Sequence, residues 1–103
     1  MSDAITRRYK LQKVLEAICP DVYFQPPETT RLIYPCILYN WDFSDVMFAD
    51  NVQYVSTRRY SVTVIDKNPD SFIPIELGKM QMCMFDRFYT EDNLNHWVFD
   101  LYF

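Results

Sequence analysis

The last segment, Met82–Phe103, constrains the fold of this chain more than any other. Two aromatic-rich alternating runs, 83–89 and 94–103, flank Thr90-Glu91-Asp92-Asn93. Asp and Asn tolerate turn geometry and the runs carry the bulky residues that strands favour, so the segment predicts a β-hairpin. The second run reaches the terminal residue, so the chain is expected to end inside a sheet. Nothing in the segment has the pattern of a reactive centre. That tilts the reading towards an assembly or scaffold protein and away from an enzyme.

Upstream of the hairpin, Leu11, Val14, Leu15 and Ile18 recur at i, i+3, i+4 and i+7, which predicts an amphipathic helix over about 3–18. Ser2 or Asp3 can cap it and Pro20 stops it. Val22–Phe24 makes a short strand at most. Gln25–Tyr34, with Pro26 and Pro27, reads as an extended loop, because proline removes ladder donors. The Tyr34-Pro35 bond is expected to be trans. In residues 36–43, Ile37, Tyr39, Trp41 and Phe43 alternate with Cys36, Leu38, Asn40 and Asp42, giving one strongly apolar face and one mixed face. Residues 53–65 read as the longest strand, with Tyr60, Val62 and Val64 inward and Arg59, Ser61 and Thr63 outward. It is expected to pair antiparallel with 36–43 through the connection 44–52. Asp66–Asp70 forms a turn. A second helix is predicted over about 71–80, capped by Asp70 or Ser71, with Pro74 in its first turn and Gly78 weakening or ending it.

The resulting order is α-β-β-β-α-β-β, an α+β single domain over residues 1–103. Its sheet should be mainly antiparallel and four-stranded, or five-stranded if 22–24 pairs. Two helices cannot cover both faces of such a sheet, so both are expected on one face. Ile37, Tyr39, Trp41, Tyr60, Val62 and Val64 should share a core with Leu11, Val14, Leu15 and Ile18. The opposite face, with Arg59 and Ser61, is left to be buried against another subunit, and a last strand at the terminus would leave an open edge.

Composition agrees with a dense single core. Half of the 103 residues are apolar and 17% are aromatic, and a chain of this length buries roughly 65% of its unfolded surface. The single glycine argues against a linker-rich chain and excludes a glycine-rich phosphate loop. No apolar run approaches the roughly 18 residues of a membrane span and no cleavable signal pattern opens the chain. A soluble protein, intracellular when made, is expected. The net charge of −4 is uneven. Arg7, Arg8, Lys10 and Lys13 make the first segment basic, as on a solvated helix face, and the remainder is acidic. Such a body repels phosphates, so non-specific nucleic-acid binding is not expected.

The search for chemistry returns little. Cys19, Cys36 and Cys83 are odd in number and have no C-x-x-C spacing, so neither zinc nor a redox dithiol nor a disulfide scaffold is indicated. His96 is the only histidine and reads as a packed strand residue. Asp42, Asp45 and Asp50 lack the spacing, glycine and terminal glutamate of a calcium loop. Asp86 and Arg87 are neighbours in a strand and are expected to face opposite ways. No catalytic residue, cofactor site or metal site is therefore assigned. The connection 44–52 stands apart: Val46, Met47 and Phe48 lie between Asp45 and Asp50, and an apolar cluster at a loop tip seeks a partner. Asp45, Val46, Met47, Phe48, Asp50 and Arg59 are the candidate interface.

Four segments carry a family resemblance: Val22-Tyr-Phe-Gln-Pro-Pro-Glu28, Tyr34-Pro-Cys-Ile37, Arg59-Tyr-Ser-Val-Thr-Val-Ile-Asp-Lys-Asn-Pro-Asp70, and Phe85-Asp-Arg-Phe-Tyr-Thr90 with Asp92-Asn-Leu-Asn-His96. Together with the order of elements they resemble tail terminator, or tail completion, proteins of tailed phages and prophages. The resemblance covers nearly the whole chain and rests on turns and core residues, with no catalytic motif. It implies a homohexameric ring at the head–tail junction that caps the tail tube and joins it to the head connector. DNA would pass its pore without specific binding, and no membrane is involved. The chain would reside in the virion tail and, during assembly, in the host cytoplasm. Two alternatives stay open. One is another head-completion or tail-tube-associated component. The other, of a different class, is a small hydrolase or regulatory binding module using His96 or the acidic loop.

Overall fold

A computed structural model describes residues 3–42 and 59–103. The elements in chain order are α1 (Asp3–Ile18), β1 (Val22–Phe24), β2 (Cys36–Trp41), β3 (Arg59–Asp66), α2 (Ile73–Gly78), β4 (Cys83–Glu91) and β5 (Leu94–Tyr102). The strands form one sheet in the order β1-β2-β3-β5-β4. The α+β class, the element order and the antiparallel β2–β3 and β4–β5 pairings agree with expectation. The sheet is mixed, because β1 runs parallel to β2.

Two consequences of this order were not foreseeable from local patterns. The last strand is not an edge: β5 lies between β3 and β4, in register with both. The edges among the described residues are β1 and β4. The second concerns the loop after β1, which must return the chain to the starting end of a parallel neighbour. It does so without a helix, its Ile33 amide donating to the Tyr23 hydroxyl at 3.3 Å. The Tyr34-Pro35 bond in this connection is cis, contrary to the expected trans.

Cross-strand register builds the core in rows, since directly opposed residues project to the same face. Ile37, Val64, Trp97 and Phe88 form one row, Tyr39, Val62, Phe99 and Phe85 the next, and Trp41, Tyr60, Leu101 and Cys83 a third. Leu11, Leu15 and Cys19 of α1 and its end, and Ile73 and Leu77 of α2, join the same buried cluster. Both helices thus meet one face.

Three expected core members are displaced. Val14 is 38% exposed. The buried stripe follows Leu11, Leu15 and Cys19, a row of i+4 steps, and at about 100° per residue Val14 lies well to one side of it. Trp41 and Ile18 are only partly buried, at the margin of the cluster. Helix α2 is also shorter than the predicted 71–80. Asp66 and Asn68 hold the preceding turn by accepting from the amides of Asn68 and Asp70 at 3.0 and 2.9 Å. The N-cap is Phe72, with no side-chain cap bond. Ser71 instead accepts from the Ile73 amide through Oγ at 3.3 Å. At the other end Lys79 and Met80 donate to Glu76 and Leu77, tight i→i+3 bonds that close the helix at Gly78.

Candidate functional site

Strand β4 is the feature that the fold leaves unfinished. Every residue from Met84 to Glu91 is exposed, although the strand is paired with β5 along its length. Large apolar side chains stand out on both faces. Phe85 (58% exposed) and Phe88 (48%) lie on the helix side, while Met84 (56%) and Tyr89 lie on the other. Phe85 is edge-on to Phe99 with centroids 5.5 Å apart, and Phe88 packs on Trp97 at 5.3 Å, so the inner edges of these rings touch the core and the outer edges do not. Helix α2 packs beside β4, and Phe72 at its N-cap and Ile75 within it are each 64% exposed. This nine-residue edge strand is free of proline and carries apolar side chains on both sides of the sheet, with Asp86 and Arg87 as the charges at its centre.

The strand holds one irregularity. Phe85 is opposite Phe99 and Arg87 is opposite Val98, so Asp86 is an extra residue in a β-bulge. The bulge breaks the alternation and turns Asp86 and Arg87 towards one another, joining them at 2.7 Å. The expectation that neighbouring strand residues cannot pair fails here for that reason. The bulge also restores Phe88 to the face of Phe85, three positions earlier.

The opposite edge is short. Strand β1 has three residues, Pro20 stands just before it and Pro26 and Pro27 follow it. Proline presents no amide to a further strand. Among the described residues the sheet therefore has one short, proline-flanked edge, β1, and one long edge, β4.

The residues singled out from sequence fall elsewhere. Asp45, Val46, Met47, Phe48 and Asp50 lie outside the described residues, as do 53–58 of the expected long strand. Arg59 sits on the face away from the helices, bridging Asp42 at 3.3 Å and Asp100 at 3.4 Å. Partial desolvation lowers its pKa, and Asp100 and Asp42 more than offset this, so the guanidinium is held charged. Its role inside the chain is to neutralise two carboxylates. His96 stacks on Tyr89 with centroids 4.5 Å apart, and its Nδ1 lies 3.2 Å from the Leu94 carbonyl. Its register partners are Ile65 and Tyr89. Cys36 is two strands away, about 10 Å at ordinary strand spacing.

Cys19 and Cys36 are buried. Burial pushes the Cys36 thiol up to about 12, and it pushes the Cys83 thiol up to about 11. Thiols so held are poor nucleophiles. No cluster of three or more metal-ligating side chains occurs among the described residues, and none of their helices is long and apolar enough to cross a membrane. Thr90, Glu91, Asp92, Asn93 and Asn95 line a shallow, open hollow at the hairpin turn.

The alternation in 83–89 predicts half of a hairpin and does not mark it as a contact surface. The available signal was the crowding of Met82, Met84, Phe85, Phe88 and Tyr89, which exceeds what one buried face requires. No protein-family model, curated protein or solved structure matches the chain. The resemblance to tail terminators therefore stands on the quoted segments and the order of elements.

Proposed function

We propose that this chain is a non-catalytic assembly subunit of a tailed-phage particle, acting at the head–tail junction. In this reading it forms a ring, six-membered as the resemblance implies, that caps the tail tube and meets the head connector. The observation that carries the assembly role is the nine-residue strand β4, an edge of the sheet among the described residues, with exposed apolar side chains on both faces. A ring of identical subunits needs a heterologous contact, in which one surface of a subunit meets a different surface of the next. An unfinished strand is suited to such a contact, because backbone groups give affinity and alternate side chains give register. The net charge of −4 fits a pore through which DNA moves without sticking.

The partners proposed are further copies of the chain, the tail tube protein and a head-completion protein, with residence in the virion tail and, before that, the host cytoplasm. Removing the chain's gene from a producing phage or prophage should leave filled heads and tails unjoined, as seen by electron microscopy. Joined, infectious particles formed without the chain would end this reading.

A further inference from the structure

We infer that the free chain pairs with a second copy of itself through β4, antiparallel, about a twofold axis between Asp86 and Arg87. The strand is close to a palindrome in chemical class around that point. Antiparallel pairing centred there sets Phe85 opposite Phe88 of the partner subunit, Asp86 opposite Arg87 of the partner subunit, and Met84 opposite Tyr89 of the partner subunit. Each apolar residue meets an apolar one and each charge meets its opposite, twice by symmetry.

The bulge makes this register geometrically possible. In a regular strand, Phe85 and Phe88 would project to opposite faces, and the pairing would set a helix-side ring against a residue on the other side. With Asp86 as the extra residue, Phe85 and Phe88 both lie on the helix side, opposite Phe99 and Trp97. Met84 and Tyr89, opposite Asp100 and His96, both lie on the other. A twofold axis normal to the sheet preserves these sides, so every apolar pair forms on a single face. The pairing concerns the free chain and holds whether or not the role at a phage junction does. If that role holds, the dimer closes the edge until an assembly partner opens it.

Light scattering and sedimentation of the full-length chain test this directly. The expected mass is twice the 12.4 kDa chain. Asp86→Arg alone and Arg87→Asp alone each set two like-charged pairs against one another, and each should weaken dimerisation by about a hundredfold. Mixing the two variants restores opposite charges at both pairs, so the mixture should form a 1:1 dimer although neither variant does so alone. The Asp86–Arg87 ion pair within one chain is not restored by mixing, which separates an effect between copies from one inside the hairpin. Should a single variant fail to fold, by circular dichroism, hydrogen exchange on the unmodified chain decides instead. Amides of 83–90 should gain protection as concentration rises. A monomer at all concentrations, variants that dimerise as well as the unmodified chain, a mixture that stays monomeric, or exchange in 83–90 independent of concentration would each overturn the inference.

Discussion

Leu15 and Trp41 differ in what surrounds them, and substitutions should register the difference. Leu15 is fully buried beneath the sheet, whereas Trp41 is partly exposed and stacks on Tyr60 with centroids 4.9 Å apart. Leu15→Ala should cost about 3 kcal/mol in denaturant titration, within the range for buried leucines, and Trp41→Ala about 2 kcal/mol, below the range for a fully buried tryptophan. The thiols give a pH signature. The usual cysteine value of 9.0 applies to the unfolded chain, and burial lifts the folded Cys36 to about 12. Above 9 the unfolded state sheds a proton that the folded state keeps, so the stabilisation is complete below 9 and is lost as pH rises towards 12. Cys83 acts in the same direction, towards about 11, and burial raises Tyr39 too. Denaturant midpoints should fall across this alkaline range, and Cys36→Ala should flatten part of the decline. At this scale the core strands were legible, because alternation in 37–41 and 60–64 directly names the buried face. Val14 was not, since a 3.6 period shows that a stripe exists without fixing its axis.

The β4–β5 hairpin turns on Asp92 and Asn93, both in the left-handed region with φ of 55° and 63°. Two-residue turns of this geometry favour glycine at the second position. Asn93→Gly should therefore raise stability by about 0.5 kcal/mol, read as a higher thermal midpoint. The hairpin and its turn were legible from composition, because few residues accept such a backbone. The bulge at Asp86 was not, since nothing in the local sequence marks an extra residue until β5 supplies the opposing register. The edge status of β4 was hidden for a similar reason. Pairing order is set by β3 accepting β5 in preference to β4, a contact between segments roughly thirty residues apart. Met84, on the side away from the helices, probes the element by itself. Met84→Lys should alter folding stability by no more than about 0.5 kcal/mol, as for surface changes generally, while reducing self-association measured by sedimentation.

For the whole molecule, the expected α+β order and the two-layer core agree with the structure, whereas the candidate site inferred from 45–50 lies outside the described residues. The sheet's own asymmetry supplies a surface instead. That asymmetry has a consequence familiar from polymer chemistry, where the number of reactive ends on a monomer decides whether it can grow a chain. Among the described residues, strand addition has a nine-residue template at β4 and only three residues at β1, between Pro20 and Pro26. With respect to sheet extension the subunit has one long end and one short one. Two copies joined at β4 make a sheet whose outer ends, among the described strands, are both β1, so further extension has only three-residue templates to build on. Any closed ring must then recruit a second, chemically different surface on each subunit.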